Sequence, residues 1–375
     1  MSVPPSATIT HVTSVHEAND VRVFRRECRA ASEAGYRVFL VAPDAPSSPA
    51  HGVQFVSILR PARRLARMTL GAWRAWRAAL RTNADVYHIH DPELLPGALV
   101  LAALGRRVVY DAHEDLEADL MDREYLPGGS HHVVAALLGA FELFVAREVA
   151  AVIAATTAIA RRHRAAAVVV TVGNYPRVED FGAAGTAHHA DRPMHIAYTG
   201  LISRERGCIE MLDALELLRQ DGVRLQLAGA FDDPRLRSEA EAHPAWDLVD
   251  FHGLLPYADL WSLLGQSRLG LVLFRPAPNH IEAQPNKLFE YMAAGIPVVA
   301  SDFPLWREVV VECGAGVVVN PLDPRAIADV VRGLLMRPLE GEALGGRGIA
   351  AVRERYNWRS QATRLLACYR RVLEG

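Results

Sequence analysis

The sequence predicts an α/β protein built from two doubly wound parallel-sheet domains, and three observations carry that prediction. Apolar runs of strand length alternate with helical stretches along most of the 375 residues, which is the pattern of strand–helix–strand units in a parallel sheet. A stretch rich in Gly, Ala and Pro without hydrophobic period, Tyr175 to Pro193, divides the alternation into two runs. The length favours two domains, and a composition 50% hydrophobic and 22% charged is that of an ordinary globular chain.

The first run opens with a strand at Ala7 to Ser14, an amphipathic helix at Asp20 to Gly35 and a strand at Tyr36 to Pro43. Further strands are expected at His51 to Leu59, Asp85 to Asp91, Arg106 to Glu114, Ala150 to Thr157 and Ala167 to Asn174. The second run has strands at Met194 to Gly200, Val223 to Gly229, Leu248 to Gly253, Gly270 to Phe274, Ile296 to Ser301 and Gly316 to Asn320. Helices lie between them near Ile209 to Leu218, Tyr257 to Leu264 and Arg325 to Leu335. The expected domains are therefore 1–174 and 194–355, with a linker over 175–193 and a closing helix over 356–375.

Several function classes are disfavoured. A formal net charge of −2 gives no overall reason to expect nucleic acid. Cys28, Cys208, Cys313 and Cys368 are far apart and show no zinc-type spacing, so they read as buried, reduced thiols of a cytoplasmic protein. The opening MSVPPSATITHV lacks the basic and apolar regions of a signal peptide. The longest apolar region, Val133 to Ala146, is broken by Glu142 and falls short of the ~20 residues a membrane span needs.

One segment is suited to hold an anion and a sugar. In EAQPNKLFEYMAAGIPVVASD, Pro285 fits the first turn of a helix and Gly295 the left-handed position after its end, so a helix is expected over Asn286 to Ala294. The preceding strand and the following IPVVAS complete a strand–helix–strand unit, whose ligand belongs at the carboxyl ends of the strands and the helix N-terminus. Lys287 adds a full charge in that first turn. Glu290, one turn further, is placed for a pair of ribose hydroxyls, and Glu282, just before the helix, for the sugar beyond the phosphates.

Glu282 and Glu290 are separated by seven residues, and that spacing, with Lys287 and the continuation AAGIPVVASD, resembles the EX7E motif of retaining GT-B glycosyltransferases, especially family 4. The resemblance covers nearly the whole chain. It implies two Rossmann-like domains facing a cleft, with the closing helix 356–375 packed back on the first. It further implies transfer of a sugar from a UDP- or GDP-linked donor to an acceptor hydroxyl, with retention of configuration.

In that family the loop after the first strand of the second domain carries an arginine and a lysine that grip the diphosphate. Here Leu201 stands at the arginine position and Arg206 at the lysine position, so either Arg204 substitutes for the missing arginine or Lys287 takes over its charge. Gln284 and Pro285 stand where relatives have Phe-Gly, which removes one backbone amide from the sugar site. The donor set implied is Gly200, Arg204, Arg206, Gly253, Leu254, Glu282, Asn286, Lys287, Leu288 and Glu290.

Three histidines end strands in the first domain. His113, in VVYDAHEDLEADL, matches by context the family histidine beside the donor sugar, and joins Arg206, Lys287 and Glu282 as a catalytic candidate. His90 and Asp91, with His16, Asn19, Asp20 and Arg22 of the first loop, are the acceptor candidates; strand alternation turns His88 inward. A metal at His90, Asp91, His113 and Glu114 is conceivable, but the resemblance implies no metal and no cofactor beyond the nucleotide sugar, which is substrate.

Arginines at 60, 63, 64, 67, 74, 77 and 81 form a stripe beside Leu65, Met68, Trp73, Trp76 and Leu80. On a helix this is either a surface element with its apolar side on the sheet, or a peripheral contact to an anionic acceptor or to the inner face of a membrane. Two other functions share the resemblance: a nucleotide-sugar epimerase or pseudo-glycosyltransferase, and a catalytically silent sugar-nucleotide-binding subunit. The second would need eroded EX7E and arginine positions, and most of these are present.

Overall fold

Runs of β-branched and aliphatic residues bounded by turn residues become two all-parallel sheets in the computed structural model, which describes residues 7–63, 66–113, 116, 130–180 and 189–375. The chain divides into two units, 1–174 with 358–375, and 175–357.

In the first unit, β1 (Thr8–Val12), β2 (Arg37–Pro43), β3 (Val53–Ile58), β4 (Val86–Ile89), β5 (Arg107–Ala112), β6 (Ala151–Ala154) and β7 (Val169–Thr171) form one sheet in the order β3-β2-β1-β4-β5-β6-β7. Alternate residues feed two cores. Val12, Tyr87, Ile89, Val108 and Tyr110 face one side, and Ile9, Leu40, Val86, Val109 and Ile153 the other. The second core is closed by the helix Trp358–Glu374, which contributes Trp358, Leu365, Cys368 and Tyr369.

Strand order reverses direction between β1 and β4, the switch point where a doubly wound sheet opens a crevice at the carboxyl ends of its strands. The loop after β1 leads into a wide-turned helix, Val21–Cys28, which continues as Arg29–Glu33. Asp20 starts it by accepting hydrogen bonds from the amides of Arg22 and Val23, both at 2.8 Å.

In the second unit, β8 (His195–Thr199), β9 (Arg224–Ala228), β10 (Val249–Gly253), β11 (Leu269–Val272), β12 (Val298–Ser301) and β13 (Gly316–Val319) are ordered β10-β9-β8-β11-β12-β13. The switch point lies between β8 and β11. Tyr198, Leu225, Leu227 and Leu271 pack on one face; Ala197, Val272, Val298 and Ala300 pack on the other, against Leu288, Phe289, Tyr291 and Met292 of the helix Asn286–Ala293. That helix ends as the sequence implies, with Gly295 left-handed at φ 69°.

Strand bounds fall within a few residues of expectation. Residues 175–180 and 189–193 of the expected linker belong to the second unit, where the Tyr175 ring meets Phe289 at 4.8 Å and Tyr356 at 5.3 Å; residues 181–188 lie outside the described residues. Tyr356 itself sits in this core rather than in the closing helix.

The arginine stripe is not one helix. The described part turns as Arg67–Gly71 and Ala72–Leu80, and its sheet-facing side is small: Gly71, Ala72, Ala75, Ala78 and Ala79. Of its large apolar residues only Trp76 turns inward, donating its indole N–H to the Leu94 carbonyl at 3.1 Å. Met68, Trp73 and Leu80 remain exposed; Arg64 and Leu65 lie outside the described residues. Among the described residues no helix is long and apolar enough to cross a membrane.

Candidate functional site

The second unit gathers cations at its switch point. The loop 200–207 leaves β8 through Gly200, at φ 103°, and reaches the helix Cys208–Leu217 through Gly207, at φ 73°. A Cβ at Gly207 would stand 2.1 Å from the carbonyl oxygen of Leu273 just past β11, so only glycine permits this approach. Arg206 is thereby held with its guanidinium carbon 5.2 Å from the Phe274 ring centroid.

Lys287, in the first turn of Asn286–Ala293, reaches the same place. Its Nζ lies 3.7 Å from the centroid of Tyr198 and 5.6 Å from that of Phe274. The ammonium is buried without a hydrogen-bond partner among the described residues. Burial, reinforced by the Arg206 charge and opposed by Glu290, holds its pKa well below the usual 10.5. A buried ammonium over two aromatic faces, beside a guanidinium and a helix N-terminus, has the charge and geometry to receive an anion. Asn286 adds a buried Oδ1 that has no hydrogen-bond partner among the described residues.

The other expected donor residues divide. Glu290 is buried one turn beyond Lys287, on the same helix. Gly253 ends β10 and Leu254 follows it with its side chain 80% exposed. Glu282 is exposed after the short helix Pro278–Ile281, in a loop held where the Trp306 indole donates to the Ala283 carbonyl at 2.7 Å. Leu288 has its side chain wholly in the core, and its amide donates to the Pro285 carbonyl at 3.1 Å. Arg204 is half exposed and paired with Glu239, so its charge is already committed.

At the switch point of the first unit lies a cavity of about 790 Å³. His16, His90, Asp91, Glu93 and His113 line one part, and Val15, Met68, Leu95, Leu138 and Phe141 another. Asp91 is the organising group, accepting from the Ser14 amide at 2.6 Å and the Thr13 hydroxyl at 2.8 Å. His16 stands with Nε2 3.4 Å from Asp91 and Nδ1 3.5 Å from Asp20. Burial alone would raise Asp20, but His16 and the backbone amides bring it down to about 2. Glu93 is pushed up by burial and by the Asp91 charge. The His113 ring meets His16 edge-on, 5.2 Å between centroids.

Of the expected acceptor residues, His16, His90 and Asp91 line this cavity with His113, and three do not. Asn19 is exposed on the loop. Asp20 is occupied as a helix cap. Arg22 is turned into the core, where Nε and Nη2 meet the Asp111 carboxylate at 2.8 and 2.6 Å. Despite full burial, that guanidinium holds Asp111 well below 3.8. Glu114 and Asp115 lie outside the described residues.

His88 is inward, as alternation implies, with Nδ1 2.7 Å from the Tyr369 hydroxyl. Sequence reasoning missed Glu93, although Asp91-Pro92-Glu93 places a second carboxylate two residues on. It also missed Leu138 and Phe141, which carry no signal beyond helical periodicity, and the aromatic floor of Tyr198 and Phe274.

Comparison with known proteins follows the same division. Residues 193–337 match the family "Glycosyl transferases group 1", and residues 21–171 match "Glycosyltransferase Family 4". A phosphatidyl-myo-inositol mannosyltransferase of Mycobacterium leprae is 32% identical over 44% of this chain and 43% of its own length. A glycogen synthase of Mycobacterium tuberculosis is 28% identical over 49% and 44%. The chain thus spans less than half the length of these curated relatives.

Among solved structures, sucrose-phosphate synthase from Thermosynechococcus elongatus superposes with a TM-score of 0.77 at 16% identity, covering 98% of this chain and 99% of its own. Anabaena HepE in complex with UDP and glucose gives 0.74 at 14% identity, covering 97% and 99%. At these identities the structures speak to the fold.

Proposed function

Because the chain is a family 4-like glycosyltransferase of the GT-B fold, we propose that it moves a sugar from a nucleotide-diphosphate donor to an acceptor hydroxyl, with retention of configuration. The observation that carries this reading is the buried ammonium of Lys287, without a hydrogen-bond partner among the described residues, beside Arg206 at a helix N-terminus. Such a group is costly to maintain unless an anion completes it.

The donor diphosphate would lie across Lys287, Arg206 and the first turn of Asn286–Ala293, with Glu290 on the ribose and Glu282 toward the sugar. Anabaena HepE, which shares this fold, forms a complex with UDP and glucose, and this supports a nucleotide-sugar donor. No side chain needs to attack. The leaving diphosphate gains charge as the glycosidic bond breaks, and fixed cations stabilise it more then than in the ground state. The cavity of the first unit would take the acceptor, its hydroxyl against His16 and Asp91, with His113 serving the sugar.

Two measurements test this. Melting with UDP and with GDP should show stabilisation by one of them, about 2.7 kcal/mol at 100 times its dissociation constant. Labelled nucleotide sugars should then show transfer or slow hydrolysis. Epimerisation would replace the reading with an isomerase, and binding without turnover with a silent subunit. No response to either nucleotide would remove it.

A further inference from the structure

Beneath the first unit's cavity lies a polar cluster that the transferase reading leaves almost unused. His11 on β1 and His88 on β4 are register partners, so their side chains leave the sheet on the same face. His90 follows two residues on and shares that face. Glu27 descends onto it from the helix Val21–Cys28. All four side chains are wholly buried.

The imidazole centroids are 4.7 Å apart for His11 and His88, 5.2 Å for His11 and His90, and 4.6 Å for His88 and His90. One ligand atom from each of the four residues lies within 4.8 Å of the others.

Two observations separate this cluster from a satisfied core network. Both carboxylate oxygens of Glu27 and Nε2 of His88 are buried without a hydrogen-bond partner among the described residues. Glu27 has an ion pair with Arg22 Nη2 at 3.3 Å and lies 3.7 Å from His88 Nδ1, while the hydrogen bonds of Arg22 go to Asp111 and the Val172 carbonyl. A buried carboxylate with neither oxygen hydrogen-bonded retains lone pairs for a further ligand.

In addition, Nδ1 of His90 meets Asp111 Oδ2 at 3.0 Å, which leaves Nε2 as the lone pair turned toward His11, 2.9 Å away. A carboxylate behind an imidazole is how metal-ligating histidines are held in one tautomer.

We infer that His11, Glu27, His88 and His90 bind a divalent first-row transition ion of the zinc type. Neutral imidazoles and one carboxylate suit such an ion. With Zn–N distances of about 2.0–2.1 Å, tetrahedral ligands stand about 3.3 Å apart and imidazole centroids about 5 Å apart. The three rings already have that spacing.

On binding, the proton of His11 moves from Nδ1 to Nε2, 3.3 Å from the Tyr369 hydroxyl, which frees Nδ1 for the ion; the His11–His90 pair opens by about 0.4 Å, and the widest pair closes by at most about 1.5 Å. With four protein ligands the site is closed and structural, tying the Val21–Cys28 helix to β1 and β4. It stands independently of the donor chemistry.

The test uses the intact chain, stripped with a chelator and then given Zn²⁺ or Co²⁺. Elemental analysis should find about one zinc per chain after gel filtration. Melting temperature should rise with free zinc and return on chelation. Cobalt should give the visible spectrum of a four-coordinate site, and affinity should weaken as pH falls.

Glu27→Gln and His88→Gln should each lower zinc affinity at least about tenfold while circular dichroism shows the metal-free fold retained. His16→Ala, outside the cluster, should bind as the parent does. Failure of the parent to retain zinc, or equal affinity in the parent and both cluster variants, overturns the site.

Discussion

The ammonium of Lys287 stands 3.7 Å from the ring centroid of Tyr198 and has no hydrogen-bond partner there among the described residues. A charge parked on an aromatic face and walled from water keeps its electrostatic potential for whatever anion arrives, because no ordered dipole must first be displaced. Lys287→Ala and Arg206→Ala should therefore each lower kcat more than they weaken donor binding. Together they should be non-additive, since both act on one diphosphate. Arg204→Ala, which removes only an exposed pair with Glu239, should leave activity within about two-fold. Near-normal turnover in both single variants would dissolve the clamp.

The same residue sets a pH dependence. Burial holds the Lys287 amine well below 10.5 in the free protein, and a bound diphosphate would raise it again. Nucleotide affinity is then full below the free-protein pKa and falls as pH rises from that value toward the higher bound-state one, by up to about tenfold per pH unit. Titration calorimetry with UDP or GDP across alkaline pH measures this, and Lys287→Arg should flatten it. A flat profile in the parent would mean that the lysine is not the titrating partner.

Glu290 occupies the next turn of that helix, and a carboxylate there accepts from both hydroxyls of a ribose. Glu290→Gln keeps the size, removes the charge and turns one acceptor into a donor. Affinity for the nucleoside diphosphate should fall by more than affinity for its deoxyribose analogue. Equal losses would take Glu290 off the ribose.

Much of this was legible in sequence because Pro285 and Gly295 bracket a helix whose first turn holds Lys287, and because apolar runs such as IPVVAS have few other fates than a buried strand. Less legible was where a polar residue of the first loop would turn. Asp20 and Arg22 are chemically fit to hold a sugar, and only the fold shows one capping a helix and the other buried on Asp111. The burial of the Leu288 side chain follows from the apolar face of its helix, which the sequence pattern does not separate from the binding turn. The Glu27 cluster joins residues up to 79 positions apart, and no spacing in the chain marks it.

His113 and Arg22 should separate function from stability within the first unit. His113 lines the cavity with its side chain 19% exposed, so His113→Ala should lower turnover about tenfold or more, equivalent to one transition-state contact of ~1.4 kcal/mol, with little change in melting temperature. Arg22→Ala leaves the Asp111 carboxylate buried without its bidentate partner and should cost about 3–5 kcal/mol of stability. The reverse pattern, a destabilised His113 variant with normal activity per folded molecule, would place His113 in the core instead.

The arginine-rich segment exposes Met68 (47%), Leu70 (40%), Trp73 (55%) and Leu80 (48%), because its sheet-facing positions are glycine and alanine and leave the large side chains outside. Arg77 lies over the Trp73 ring at 5.2 Å, so charge and apolar surface share one face. Such a face fits the headgroup region of an anionic bilayer, where each nearby arginine contributes about 1 kcal/mol and the indole inserts. The chain should cosediment with anionic vesicles and not with zwitterionic ones, and raised ionic strength should weaken the association. Arg63→Gln, Arg67→Gln and Arg77→Gln combined should abolish it, and Trp73→Ala should weaken it even at low salt. Cosedimentation unchanged by the charge substitutions, or absent from the parent, would return the segment to an ordinary surface helix.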